Sequence, residues 1–238
     1  MSVALPPFLT FDPSTETVES PPAIIVLQEW WGINDQIKLH AQKFADISGA
    51  QVFVPDLYKG KIGVDAEEAS HLMNNLDFKN AVDEIESLCE ELRKDQPDRK
   101  IAIAGFCMGG ALCLATAALS KRPVAAAIPF YGIPPSALCN VGDIPTKSPI
   151  QGHFGLLDAM KDFSDAEAVK NLEEKLKASI GDKPFEIHSY ETEGHAFMNH
   201  DQWSMNMVKK LEFPGSFSQA SRDLAWERVE SFLKKHLY

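Results

Sequence analysis

Short apolar runs alternate along this chain with longer stretches in which apolar residues recur at helical spacing. Residues 23–28, Ala-Ile-Ile-Val-Leu-Gln, form an almost unbroken apolar run, the signature of a strand buried on both faces. Asp35 is a candidate cap for the helix that follows, in which Ile37, His40, Ala41, Phe44 and Ile47 share one face. Residues 51–54, Gln-Val-Phe-Val, read as a second strand ended by Pro55, and Ala81, Ile85, Leu88, Cys89 and Leu92 make the next helical stripe. Strands are then expected over 100–106, 124–130, 149–154 and 185–190. Helices are expected around Met108, Leu112, Ala115 and Leu119, around Val169, Leu172, Leu176 and Ile180 with Gly181 as the stop, and around Leu224, Val229, Phe232, Leu233 and Leu237. Strands separated by helices imply parallel pairing in a sheet covered on both faces. The expectation is one doubly wound α/β domain over residues 1–238, without repeats or linkers. The stretch from Asn199 to Ser218 carries only a weak helical signal. It lies either across the site or on the surface as a loop.

Composition removes several classes of function. With 23 Lys and Arg against 34 Asp and Glu the formal charge is −11, a poor match to nucleic acid or an anionic membrane. No apolar run approaches the roughly 20 residues of a spanning helix. The opening Met-Ser-Val-Ala-Leu-Pro-Pro lacks the basic and apolar segments of a signal peptide. The four cysteines, at 89, 107, 113 and 139, include no CxxC pair, so the expected setting is reduced and cytoplasmic. No spacing of His and Cys suits a metal, and no glycine-rich phosphate loop is present, so neither metal nor cofactor is expected.

The chemistry concentrates where the strand over 100–106 turns into a helix through Gly105-Phe106-Cys107-Met108-Gly109. This is the nucleophile-elbow pattern with cysteine at its centre. So sharp a turn strains the central residue and leaves no room for side chains two positions away, hence the flanking glycines. It also sets the sulfur over a helix N-terminus, where free N–H groups favour a thiolate. A nucleophile of this kind needs a base and an orienting acid, following it along the chain in the order acid, then histidine. Asp158 lies just past the strand over 149–154, and His195, in Glu193-Gly194-His195-Ala196-Phe197, lies beyond the strand over 185–190. Among competitors, His153 and His188 fall within strands as packed residues, His200 is an outside candidate, and Asp162 and Asp165 look like capping or surface acids. Cys89, Cys113 and Cys139 read as core or loop thiols.

Gln28-Glu29-Trp30-Trp31-Gly32, Val54-Pro55-Asp56-Leu57-Tyr58, the elbow, and Gly194-His195-Ala196-Phe197 occur in an order and spacing that resemble the dienelactone hydrolase family of α/β-hydrolases. The resemblance runs from Ile24 to the last helix. It implies an α/β-hydrolase fold and a triad of Cys107, Asp158 and His195. It further implies that Glu29 faces the resting nucleophile and moves to release the thiolate, and that the backbone N–H groups of Trp30 and Met108 form an oxyanion hole. Bacterial members grip a substrate carboxylate with two arginines. One of those positions is Asn199 here, and Lys59 to Asn80, where the other would lie, contains no arginine. Lys59 could stand in for one clamp, while Trp31 and Phe197 are candidates for an apolar pocket. The expected activity is cysteine-dependent hydrolysis of a small-molecule ester or lactone through an acyl-thioester. The rival expectation is a non-hydrolytic ligand-binding or redox-sensing protein on the same fold.

Overall fold

The computed structural model describes residues 4–14, 19–180 and 185–238. Seven strands are found: β1 (Phe8–Phe11), β2 (Ala23–Leu27), β3 (Gln51–Pro55), β4 (Ile101–Phe106), β5 (Ala126–Phe130), β6 (Ile150–Gly155) and β7 (Phe185–Tyr190). They form one sheet in the order β1-β3-β2-β4-β5-β6-β7, parallel except for β1, which runs antiparallel along β3. Among the described residues seven α-helices accompany them: α1 (Asp35–Ser48), α2 (Ala66–Asn74), α3 (Phe78–Leu92), α4 (Met108–Leu119) and α5 (Ala166–Ile180) between strands, and α6 (Gln202–Lys210) and α7 (Gln219–Leu237) after β7. This is the expected α/β-hydrolase class.

The central strands are apolar at every position because both faces of the sheet are covered. Ala23, Ile25 and Leu27 of β2 join Ile101 and Ile103 of β4 in a core under α3, α4 and α5. Ile24 and Val26, with Ala102, Ala104 and Phe106, face the opposite way into a core under α1 and α7. The period-two alternation is therefore present, but masked in the sequence by burial on both sides.

Several elements differ from expectation. Asn34, not Asp35, caps α1: its side chain accepts the Ile37 N–H at 3.0 Å, while Asp35 is the first helical residue and pairs with Lys38. The edge strand β1 was not foreseen, since its four residues are mostly exposed and sit between prolines. Nor was α2, a short helix started by Asp65, whose only buried residue is Ala69. Gly181, the expected stop of α5, lies outside the described residues. Within 199–218, Asp201 caps α6 by accepting from the N–H groups of Trp203 and Ser204. The remainder of that stretch packs on the loop after β7: a Cβ at Gly194 would stand 1.8 Å from the Pro214 carbonyl oxygen. Glu193 fastens the contact, accepting from Ser216 Oγ at 2.6 Å and from the Phe217 and Ser218 N–H groups.

Candidate active site

Every strand from β2 to β7 releases its chain at the same carboxyl edge of the sheet, where ligands of open α/β folds collect. That edge carries Glu29 after β2, Cys107 after β4, Tyr131 after β5, Asp158 after β6 and His195 after β7.

Cys107 occupies the turn between β4 and α4 with φ 53° and ψ −117°, a conformation that side-chain-bearing residues rarely adopt. The turn is tied down on both sides. The Cys107 N–H donates to the Phe130 carbonyl at 3.0 Å, and its own carbonyl accepts from Gly110 at 2.8 Å. Gly105 and Gly109 are required by contact: a Cβ at Gly105 would lie 2.0 Å from the Gly109 carbonyl oxygen, and one at Gly109 would lie 2.4 Å from that of Leu27. The sulfur-bearing residue keeps 8% of its surface exposed and stands at the N-cap of α4. Met108 is the first residue of that helix, so its N–H has no intrahelical acceptor.

His195 is buried, and its Nδ1 lies 2.8 Å from Asp158 Oδ2. Asp158 is itself held by the Met160 N–H on Oδ1 at 2.9 Å. The two loops are joined by the Leu157 N–H donating to the Glu193 carbonyl. Ser164 Oγ lies 3.2 Å from the same imidazole nitrogen. Burial opposes a positive charge on His195, but the neighbouring Cys107 sulfur and the Asp158 carboxylate outweigh it and push its pKa up to about 10. The second nitrogen, Nε2, has no hydrogen-bond partner among the described residues.

Glu29 is buried beside this group. Tyr131 Oη donates to Oε1 at 3.3 Å, and Asn199 Nδ2 lies 3.3 Å and 3.2 Å from the two carboxylate oxygens. Burial raises the Glu29 pKa above the usual carboxylate range, against the lowering effect of Asn199, His195 and Tyr131. Tyr131 has φ 36° and is held far above its ordinary pKa by burial and by Glu29 and Cys107. Its ring stands edge-on to His195 with centroids 5.1 Å apart. Behind Asn199, the His40 ring stacks on Phe106, and its pKa is pushed down to about 3 by burial and by His200, so it is neutral.

The expected substrate-facing residues are occupied otherwise. Asn199 is buried and serves Glu29. Lys59 runs outward to Glu84 at 3.5 Å. Trp31 is buried between Trp30 and Trp203, with ring centroids 4.7 Å and 5.1 Å away. Phe197 has no exposed surface and packs on Tyr131 and Tyr190, so it belongs to the core rather than to a pocket wall. Outside the site, His153 is satisfied by Tyr190 Oη at 2.8 Å and by Gln151, and Asp165 caps the start of α5. Burial pushes the thiols of Cys89 and Cys139 up to about 12 and about 11. Cys113 is likewise buried, with its Sγ 3.2 Å from the Ile103 carbonyl.

Sequence reasoning missed Tyr131, Ser164 and Glu193. Tyr131 had a usable signal, as the first residue beyond an expected strand end. Ser164 and Glu193 had none, because they act through loops that meet only in the fold.

A family model described as the dienelactone hydrolase family matches residues 11–237. A protein of Aquifex pyrophilus named Protein usf is 27% identical over 226 residues, covering 91% of this chain and 89% of the relative. The carboxymethylenebutenolidase of Rhodococcus opacus is 26% identical over 228 residues, covering 90% and 81%. The crystal structure of a dienelactone hydrolase-like promiscuous phosphotriesterase from metagenomic libraries superposes with a TM-score of 0.73 at 20% identity, over 91% of this chain and 87% of that one. That last likeness speaks to the fold.

Proposed function

Given that the chain belongs to the dienelactone hydrolase family and is a hydrolase, we propose that it cleaves small activated esters or lactones with Cys107 as nucleophile, His195 as acid and base, and Asp158 as the group that orients the imidazole. One observation carries the reading: a strained cysteine at a helix N-terminus couples to a histidine whose far nitrogen is held 2.8 Å from a buried carboxylate. A His195 pKa raised to about 10 makes the imidazole a strong base, able to take the thiol proton once Glu29 is displaced.

The thiolate attacks the carbonyl carbon, and the carbonyl electrons move onto oxygen. The Trp30 and Met108 N–H groups receive that charge. Collapse of the tetrahedral species expels the alcohol or enol oxygen, which takes the proton from His195 Nε2, leaving an acyl-thioester on Cys107. Neutral His195 then removes a proton from water. The resulting hydroxide attacks the thioester, and the carboxylic acid leaves as the thiolate is restored. Thiolate is expelled more readily than alkoxide, so substrates with good leaving groups are favoured and ordinary amides are poor. Glu29 is the gate: its buried carboxyl, held by Asn199 and Tyr131, opposes a second negative charge in the site until a ligand displaces it.

The test is Cys107→Ala assayed on p-nitrophenyl acetate, with intact-mass detection of an acyl adduct on the wild-type protein. The variant is expected to lose on the order of 10³-fold or more in turnover and to form no adduct. Wild-type turnover by the variant overturns the proposal, as does reversible oxidation of Cys107 in a protein that hydrolyses no ester.

A further inference from the structure

A cavity of about 430 Å³ opens between the α2–α3 corner, the first turn of α4 and the loops after β5 and β6. Its walls include Met73, Phe78, Met108, Ala111, Leu138 and Phe163. Two of these connect it to the chemistry. Met108 follows Cys107 directly and receives the Tyr58 hydroxyl on its sulfur at 3.4 Å. The Phe163 ring centroid lies 6.2 Å from that of His195. The cavity therefore begins beside the elbow, at Met108, and reaches Phe163, the ring next to the imidazole, and its size suits a small ligand.

Its chemistry is apolar. The charged lining consists of Asp77, whose carboxylate is spent capping α3 through the Asn80 N–H at 3.0 Å, and Lys79, exposed at the rim. None of the five arginines lines it. Arg99 binds the Pro21 carbonyl and Gln51, Arg122 binds the Pro97 carbonyl, and Arg222 binds the Phe217 carbonyl and Gln219. Arg228 lies over the Tyr190 ring, and Arg93 ends α3 beside Cys89. Asn199 and Lys59 are likewise engaged, with Glu29 and Glu84. A carboxylate carried into the interior of this cavity would lose its water, with Lys79 at the exposed rim as the cation in the lining, which is costly, whereas methylene or aryl groups would gain from leaving water.

We propose, resting on the hydrolase reading above, that this cavity receives an uncharged apolar acyl group, so that the substrates are neutral esters or lactones rather than carboxylate-bearing ones. Leu138, Phe78 and Met73 set that preference.

The experiment measures kcat/KM for the p-nitrophenyl esters of acetic, butyric and hexanoic acids, and for the mono-p-nitrophenyl ester of adipic acid, whose six-carbon chain ends in a carboxylate. The expected gain is about threefold per methylene, on the order of 100-fold from acetate to hexanoate, with the adipate ester at least tenfold below hexanoate. Leu138→Arg should reverse the hexanoate-to-adipate ratio, and Leu138→Gln should shrink the gain per methylene with less risk to folding. Acetate turnover with an acyl adduct on Cys107 but a flat chain-length series, or an adipate ester as good as hexanoate, overturns the cavity assignment alone. Absence of turnover and of adduct with all four esters overturns the hydrolase reading and this one with it.

Discussion

Replacing Asn199 by leucine removes the side-chain amide from the buried Glu29 carboxylate while keeping the same branched arrangement of heavy atoms. In the folded protein that carboxylate has three contacts, 3.3 Å and 3.2 Å from the single Asn199 Nδ2 and 3.3 Å from Tyr131 Oη. A hydrogen bond to a charged group contributes about 1.5–3 kcal/mol. Because both amide contacts come from one nitrogen and are long, we take about 2 kcal/mol for the ionised form and about 1 kcal/mol or less for the neutral acid. The pH dependence follows from the direction of the shift. Burial lifts the Glu29 pKa in the folded state, so its contribution to stability is present below the unfolded value and declines as pH rises through the folded one. Asn199 works against that lift, and its loss raises the folded pKa further, each added unit costing about 1.4 kcal/mol at high pH. Urea unfolding of wild type and Asn199→Leu at pH 5 and pH 8, followed by tryptophan fluorescence, should show a penalty that is larger at pH 8 by about 1 kcal/mol or more. An equal penalty at both values would refute the assignment of Asn199 to the carboxylate's charge.

Three further outcomes can be checked directly. Gly105→Ala places a Cβ 2.0 Å from a backbone oxygen that cannot move without opening the elbow, so a stability loss of roughly 3 kcal/mol or more is expected, and an unchanged denaturation midpoint would contradict the packing. The stability supplied by His195 should be complete below pH 6.5 and disappear as pH rises through about 10. In Cys107→Ala, which lacks the sulfur that raises this pKa, the imidazole resonances should titrate at lower pH than in wild type. Asp158→Asn retains the oxygen that caps Met160 but loses the charge facing His195, so turnover should fall about 10³–10⁴-fold, and the melting temperature should drop because the buried imidazole loses its paired charge.

Much of the molecule is legible in its sequence. The continuous apolar run over 23–28 marked β2 as buried on both faces, and the alternation of short apolar runs with helical stripes pointed to the sheet class, because parallel neighbours are joined by crossovers that are usually helices. The half-buried β7 was expected at the bounds it takes. The elbow was legible because its geometry forbids side chains at Gly105 and Gly109, and an interdiction of that kind leaves a mark in one sequence. The order of Asp158 and His195 after successive strands put them on the edge where β4 ends, without any knowledge of distance. Local signals were weaker where burial is slight, which is why β1 and α2 escaped notice.

Tertiary structure decided the rest, since it depends on what each side chain meets. Asn199, four residues after His195, invited comparison with a carboxylate clamp, yet the fold turns it onto Glu29, 170 residues away in the chain. Phe197 reads as an aromatic near the histidine, but the loop carries it inward between Tyr131 and Tyr190. The apolar cavity is assembled from α2, α3, α4 and two loops, segments whose separate patterns say only that they pack. Periodicity records which face of an element is buried, whereas identity of neighbours is settled by how distant segments close on one another. The elbow was therefore written in the chain, and the company Cys107 keeps was written in the fold.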